Sequence, residues 1–247
     1  MSGIRVCTTE NAGAVLWLGG LCVWADVLNE ENPDGYEVLS EAHFSRLLTD
    51  PAFRPDLLVF THRHPDHFSE ARLFRTLEAF PEARVFIGGE GNPGDLGPDF
   101  SGSPALRISA IPLPHEGKAY ENVENDALLL RSEDGTVLLS GDCPVGCPEL
   151  LTALAKETSM HSESAPKGLT LALLNFPWLS LGKGRKALLS LDPAHALFFH
   201  LPAPGDDVYG YRLQAERMLE RFGGGHDYQI VRSPFSEYHF PSVGKKR

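Results

Sequence analysis

The chain has 247 residues, which is long enough to bury a sizeable hydrophobic core without disulfide bonds. Its formal net charge of −11 argues against nucleic acid or an anionic membrane surface as its partner, because both bind basic patches. A small anionic substrate is still compatible with this charge, since a bound divalent cation dominates the charge of its own site.

The four cysteines stand at positions 7, 22, 143 and 147, and their spacing matches neither a zinc knuckle nor a C-x-x-C redox motif. This predicts free, mostly buried thiols in a reducing cytosol. Cys143 and Cys147 lie close to Asp142 in the sequence and could also reach a site there.

An apolar stretch at residues 13–27 could be mistaken for a signal peptide. Gly19-Gly20 divides it into two short runs, which predicts a β-hairpin. Each run is too short to cross a membrane, and Glu10 precedes the stretch where a signal peptide would carry basic residues. The sequence therefore predicts a cytoplasmic protein without a targeting segment or a membrane partner.

The first half of the chain alternates short apolar runs with amphipathic stretches. This pattern predicts strands at 4–9, 13–18, 21–27, 56–60 and 84–87, and helices at 38–48 and 68–80. Residues 88–103 are rich in Gly, Pro, Asn and Asp, which predicts a long loop. Such a loop can form one wall of a site.

The second half repeats this pattern. It predicts strands at 105–113, 126–131, 136–140, 169–174, 196–199 and 228–231, helices at 148–157, 183–191 and 209–222, a polar loop at 116–124 and a polar linker at 158–167. Both halves consist of several strands followed by strand–helix units. We therefore expect an α/β protein in which two similar sheets pack face to face with helices outside, in one domain covering residues 1–247.

The most informative stretch is Thr61-His62-Arg63-His64-Pro65-Asp66-His67, between the predicted strand at 56–60 and the predicted helix at 68–80. Side chains two positions apart in an extended segment point the same way, so His62 and His64 can reach one point. Pro65 ends the strand pairing, and Asp66 and His67 are expected to begin the helix facing the same crevice. Four metal-binding groups within six residues predict a metal site.

Three further candidate ligands each follow a predicted strand: His115, Asp142 and His200. Imidazole and carboxylate groups without thiolate suit zinc, with manganese or iron as alternatives. Seven ligands are too many for one tetrahedral ion, but they fit two divalent ions that share one carboxylate. Alternatives remain open: Asp142 can be a turn residue after Gly141, and His195, His226 and His239 compete with His200 as the last ligand.

In this order and spacing, the motif at 61–67, His115, Gly141-Asp142 and His200 resemble the signature of the metallo-β-lactamase superfamily in its dinuclear, glyoxalase II-like form. The resemblance covers nearly the whole chain, and the compact chain is most similar to the small hydrolases related to the sugar-phosphate lactonases. It implies a four-layer αββα sandwich. It also implies a metal-dependent hydrolase that acts on a small ester, lactone or phosphodiester.

The resemblance further assigns a role to each matching residue. It implies first-metal ligands at His62, His64 and His115, second-metal ligands at Asp66, His67 and His200, and a bridging carboxylate at Asp142. Asp66 is also the predicted catalytic residue, and Asp26 and Thr61 are expected to support the ligands by hydrogen bonds, with Val27 where the family often has proline. A hydroxide bridging ions about 3.5–4 Å apart would then be the nucleophile.

The sequence gives less information about which residues contact the substrate. Glu116, Lys118 and Tyr120 follow His115 and are the predicted substrate contacts. Lys183 and Arg185 lie at the start of a predicted helix, where they form either a phosphate site or, as the favoured interpretation, a solvated basic helix start.

Two other functions remain open. An iron-dependent oxidoreductase of the flavodiiron type usually carries Glu where this sequence has His64, and needs a flavin module that this sequence lacks. A non-catalytic metal-binding or scaffold protein tends to lose ligands, whereas here every position of the signature is filled.

Overall fold

Two β-sheets form the centre of the computed structural model, which describes residues 3–31, 35–89, 94–96, 106–159 and 168–241, with the backbone alone for 94–96 and 157–159. The first sheet consists of β1 (Gly3–Thr8), β2 (Ala14–Leu18), β3 (Leu21–Ala25), β4 (Leu57–Phe60), β5 (Arg84–Ile87) and β13 (Glu237–Pro241). Its strands lie in the order β13-β1-β2-β3-β4-β5. The first four are antiparallel, and β3, β4 and β5 run parallel.

The second sheet consists of β6 (Gly94–Leu96), β7 (Arg107–Leu113), β8 (Asn125–Ser132), β9 (Gly135–Leu139), β10 (Leu171–Asn175), β11 (His195–Phe199) and β12 (Asp227–Ile230). Its strands lie in the order β12-β11-β10-β9-β8-β7-β6. Strands β6 to β9 are antiparallel hairpin neighbours, whereas β9 to β12 run parallel.

Helical connections between parallel strands place helices on the outer face of each sheet. The helices are α1 (Glu41–Thr49), α2 (Glu70–Ala79), α3 (Pro148–Ser159), α4 (Pro177–Ser180), α5 (Gly182–Leu191) and α6 (Tyr211–Phe222).

Alternate residues of the central strands enter different hydrophobic layers. In β8, Leu128 and Leu130 pack between the two sheets, whereas Leu129 faces the outer helices. Phe44 of α1 covers the outer face of the first sheet, and Leu150 of α3 covers that of the second. Both faces of each sheet are thus buried, which explains why the strands are continuous apolar runs. The layers are αββα, which confirms the predicted fold.

The structure corrects several predicted boundaries. The helix expected at 68–80 begins at Glu70, because the side chain of Ser69 caps it by accepting a hydrogen bond from the Arg72 backbone N–H. Asp66 and His67 therefore lie in the turn before the helix and do not begin it. Helix α3 continues to Ser159 into the predicted linker, whose remaining residues lie outside the described ones.

Among the described residues, two strands and one α-helix were not predicted. Strand β13 follows the last predicted strand at 228–231, and its partner is β1 at the other end of the chain. Strand β6 lies within the predicted loop at 88–103, much of which is outside the described residues, and pairs with β7. Helix α4 is a single turn that starts at Pro177. Each depends on a tertiary partner or is too short for a periodic pattern to show.

Among the residues that the structure describes, no helix is both long and apolar enough to cross a lipid bilayer.

Candidate metal centre

Every candidate ligand lies on a connection that begins at the carboxyl end of a strand. The turn at 62–67 follows β4, whereas His115, Asp142 and His200 follow β7, β9 and β11. Strands β7, β9 and β11 point in the same direction, because β7 and β9 are both antiparallel to β8 and β9 to β11 are parallel. Their carboxyl ends therefore meet at one edge, where a crevice can form.

The seven predicted ligands come together at this edge in two groups. The first donor set is His62, His64, His115 and Asp142; the second donor set is Asp66, His67, His200 and Asp142. Within each set, one potential ligand atom from every residue lies within 4.8 Å of the others. The side chains thus form two clusters that have Asp142 in common.

Asp142 lies between the two sets. Its Oδ2 is 3.5 Å from Nε2 of His115, 3.6 Å from Nε2 of His67 and 4.0 Å from Nε2 of His62. Its Oδ1 is 3.6 Å from Nε2 of His200. One oxygen is therefore near ligands of both sets and the other is near a ligand of the second.

Unpaired buried atoms in the first donor set fit bound cations. Nε2 of His62, Nε2 of His115 and Oδ1 of Asp142 are buried and have no hydrogen-bond partner. Leaving such an atom unsatisfied costs about 1–3 kcal/mol, so a ligand that contacts all three would remove an unfavourable contribution to the free energy of folding. A divalent cation bound to imidazole nitrogens and carboxylate oxygens does so.

Asp26 links two of the three histidines of the motif, His62 and His67, through hydrogen bonds on the side away from the crevice. Its Oδ1 accepts a hydrogen bond from the backbone N–H of Thr61 at 2.8 Å. Its Oδ2 accepts from the Thr61 hydroxyl at 2.7 Å and from Nδ1 of His67 at 3.1 Å. Since that hydroxyl donates to Asp26, it accepts from Nδ1 of His62, 3.0 Å away. Both histidines are therefore protonated on Nδ1, which leaves Nε2 facing the crevice.

His115 is oriented in the same way by the backbone. Its Nδ1 donates to the carbonyl oxygen of Glu116 at 2.7 Å, which leaves Nε2 directed at Asp142. The Glu116 backbone N–H in turn donates to the Asp142 carbonyl at 2.7 Å. The connections after β7 and β9 are therefore fixed to each other beside the candidate ligands.

Comparison with known proteins supports this picture at the level of the fold. No protein-family model matches the chain, and no curated protein matches it. Among solved structures, a metallo hydrolase from Ignicoccus hospitalis is 17% identical over 96% of this chain and 98% of that one, with a TM-score of 0.64. A putative zinc-dependent hydrolase of the metallo-β-lactamase superfamily from Thermotoga maritima is 12% identical over 92% and 97% of the two chains, with a TM-score of 0.52.

The chain has the metallo-β-lactamase fold. A diiron β-hydroxylase from Streptomyces venezuelae is also similar, at 14% identity and a TM-score of 0.60. That match covers 98% of this chain and 54% of the hydroxylase. Proteins described as hydrolases and a diiron oxygenase thus share this architecture, so the activity has to be argued from the site.

The metallo-β-lactamase fold of this chain concentrates charge around His67. Burial by itself would lower the pKa of His67, but Asp66, Asp142 and Asp26 face its ring and raise that pKa well above its usual range. Burial also opposes ionisation of Asp142, yet His200 and His67 hold the pKa of Asp142 well below its usual range. In the metal-free protein at pH 7, His67 is therefore a cation beside the ionised carboxylates of Asp66 and Asp142.

The pKa values of His62 and His64 are shifted in the opposite direction to that of His67. Burial, reinforced by neighbouring histidines, lowers the pKa of both side chains. The pKa of Asp66 is lowered like that of Asp142, because the effect of His67 and His200 on this carboxylate outweighs the effect of burial. His62 and His64 are thus neutral at pH 7 and available as metal ligands without losing a proton.

We expect metal binding at pH 7 to release at least one proton per chain, because a cation at Nε2 of His67 must displace the proton that its raised pKa retains. The measurement is calorimetric titration of the metal-free protein with zinc in two buffers of different ionisation enthalpy. Release should decrease as the pH rises towards the pKa of His67. Equal apparent enthalpies in both buffers at pH 7 would contradict this assignment.

His200 has an unusual backbone conformation. Its φ of 57° lies in the left-handed region, which costs a non-glycine residue about 1 kcal/mol or more. Its ring packs edge-on against Tyr36, with centroids 4.2 Å apart. The other histidines considered for the last ligand lie elsewhere: His195 bonds to Asp227, His226 stacks on Tyr228 and His239 pairs with Arg5 in the β-ladder.

The three predicted substrate contacts lie in three different surroundings. Tyr120 lies at the crevice, with its ring 5.0 Å from those of His64 and His115. Glu116 accepts from the Val145 backbone N–H and lies 3.9 Å from Nζ of Lys183. These contacts are structural. Lys118 is exposed in the short 3-10 turn Lys118–Tyr120, and its role as a substrate contact stays a prediction.

The other features considered for the site are structural too. The guanidinium of Arg185 donates to the carbonyls of Leu179 and Ser180, which favours the helix-start interpretation over a phosphate site. All four cysteines are buried free thiols, as predicted. Burial raises the pKa of the Cys143 thiol next to Asp142, so this side chain stays a neutral thiol at neutral pH in the metal-free protein.

Three residues at the site were not found from the sequence. Tyr36 contacts His200, and the Asn125 side chain accepts from the Asp142 backbone N–H at 3.2 Å. Asn11 donates to Asp66. Asn11 and Asn125 are typical turn residues in the sequence, and their function depends on partners 17 or more positions away.

Proposed function

We propose that the protein is a dinuclear metal-dependent hydrolase acting on a small ester, lactone or phosphodiester. The observation that carries this proposal is the sharing of Asp142 by two complete donor sets. A structural cluster needs neither two sets nor a shared carboxylate. Two adjacent cations, however, are what many enzymes use to cleave esters and phosphodiesters.

In this proposal each donor set holds one divalent ion, with Asp142 common to both. Bound ions of this kind lower the pKa of water towards about 7 and polarise a carbonyl or phosphoryl oxygen. Asp26 and the Glu116 carbonyl keep Nε2 of three histidines directed inwards. The role of the chain is thus to orient the metal ligands, and the proposed reaction needs no serine or cysteine nucleophile.

Zinc is the proposed metal, with manganese or iron as alternatives. The ligands comprise five imidazoles and two carboxylates without a thiolate, a mixture that suits these three metals. The excess of imidazole over carboxylate favours zinc, since manganese prefers more oxygen ligands.

The proposed substrate is a small molecule that binds at the mouth of the site. His64 and Asp142 are the partly exposed members of the donor sets, so they mark where the crevice opens. The rings of Tyr120 and Tyr36 border this opening next to His64 and His200. Aromatic walls beside polar ligands are typical of sites that bind small, partly apolar molecules.

Metal analysis of protein purified without a histidine tag tests this proposal. We expect close to two ions per chain, together with hydrolysis of either bis(4-nitrophenyl) phosphate or a simple lactone. A chain that stays metal-free after reconstitution with zinc, manganese and iron would refute it. Two tightly bound ions with no hydrolysis across a broad ester, lactone and phosphodiester screen would instead favour a non-catalytic metal-binding protein.

An iron-dependent oxidoreductase is the second candidate, and the observation in its favour is the similarity to the diiron β-hydroxylase. His64 disfavours it, because iron-dependent oxidoreductases of the flavodiiron type usually carry Glu at that position. Oxygen consumption by the iron-loaded protein with an electron donor, in the absence of hydrolysis by the zinc form, would reverse the order of the two candidates.

A further inference from the structure

Asn11 lies in the turn between β1 and β2, far from the histidine motif in sequence, yet its side chain reaches that motif. Its Nδ2 donates to the Asp66 carbonyl at 2.8 Å and to Oδ2 of Asp66 at 3.3 Å. The side chain is buried, with 8% of its surface exposed. A single amide thus holds both the backbone and the carboxylate of one candidate ligand.

The oxygen that Asn11 contacts is the one that faces the second donor set. Oδ2 of Asp66 is 3.3 Å from Nε2 of His200 and 3.6 Å from Nε2 of His67. Asp66 lies in a turn outside helix α2, where no helical hydrogen bonds fix its direction. The Asn11 carbonyl also accepts, at a long 3.4 Å, from the His200 backbone N–H. The β1–β2 turn therefore contacts two ligands of the second set.

A purely conformational explanation accounts for part of this arrangement. Asn11 has a φ of 54°, in the left-handed region that asparagine and glycine tolerate best. However, its Oδ1 is buried without a hydrogen-bond partner, at a cost of about 1–3 kcal/mol. Glycine would meet the backbone requirement without that cost. The benefit of the side chain must therefore come from the hydrogen bonds that Nδ2 makes to Asp66.

We propose that Asn11 is a positioning residue, which orients the Asp66 carboxylate for the ion held by the second donor set. This inference rests on the proposed function, because it needs two bound ions. The Nδ2 bond to Oδ2 leaves the other lone pairs of the carboxylate free for a cation and prevents rotation of the side chain away from His67 and His200. Asn11 has no contact with His62, His64 or His115 among the hydrogen bonds of the described residues.

Asn11→Gly tests the inference, because it keeps the backbone conformation and removes the amide. Zinc binding to the metal-free protein is followed by calorimetric titration, and the thermal unfolding of the metal-free protein is measured alongside. Asp66→Ala identifies the binding step that belongs to the second donor set. Asp192→Gly is the matched control, since Asp192 also has a left-handed φ, of 42°, but lies exposed at the end of α5.

We expect Asn11→Gly to weaken the step identified by Asp66→Ala by about 10-fold or more, in the range found when partners of metal ligands are removed. Zinc binding to the first donor set should be as strong in Asn11→Gly as in Asp192→Gly. The metal-free forms of the two variants should also unfold at the same temperature. An unchanged second step, or equal weakening of both steps, would overturn the positioning role. A wild-type chain that binds fewer than two ions would refute the proposed function and this inference together.

Discussion

Replacing Asp142 by asparagine should abolish tight binding of the second metal ion and nearly all hydrolytic activity. Asp142 is the one residue common to both donor sets, and its two oxygens face ligands of both. The substitution also removes one of the two carboxylates that neutralise the paired cations. We therefore expect a loss larger than the roughly 10–100-fold decrease that follows removal of an outer partner of a metal ligand.

The measurements are metal content after dialysis against a weak chelator and the rate of phosphodiester or lactone hydrolysis. Lys118→Ala is the control, because Lys118 is exposed and belongs to neither donor set. Its metal content should equal that of the wild type, whatever happens to substrate binding. If Asp142→Asn retains two ions and full activity, Asp142 is a turn residue after Gly141 and the bridging role is wrong.

Asp26→Asn should have the second-largest effect, although Asp26 belongs to neither donor set. Asparagine can still accept from the Thr61 backbone, but an amide NH₂ replaces the oxygen that accepts from the Thr61 hydroxyl and from His67. The chain of hydrogen bonds to Nδ1 of His62 must then reverse or break. Protons would move to Nε2, the atom that each metal needs. We expect metal affinity to decrease about 10–100-fold.

Asp56→Asn is the matched control for Asp26→Asn. Its carboxylate also accepts from a backbone N–H in the first sheet, that of Cys22, but it lies away from the donor sets. Both variants should lose some thermal stability, whereas Asp26→Asn alone should lose metal affinity. Equal metal affinity in the two variants would show that Asp26 serves the fold and not the ligands.

The fold and most of the candidate site could be predicted from the sequence, because their signals are local. The motif at 61–67 places four metal-binding groups within six residues, where strand geometry and a turn suffice to bring them together. The apolar strands, the Gly19-Gly20 hairpin and the strand-to-helix transitions follow from short-range periodicity. His115, Asp142 and His200 each follow a predicted strand. This position predicts that they lie together at one edge of a sheet.

The tertiary structure alone decided how the ligands are held. The contact of Asn11 with Asp66 spans 55 positions, and the bonds of Asp26 to Thr61 and His67 span 35 and 41. The pairing of β13 with β1 joins opposite ends of the chain. The local sequence pattern around a polar turn residue is the same whether its side chain contacts water or a buried carboxylate. Its partner is determined by the packing of two sheets, a long-range property that no stretch of sequence contains by itself.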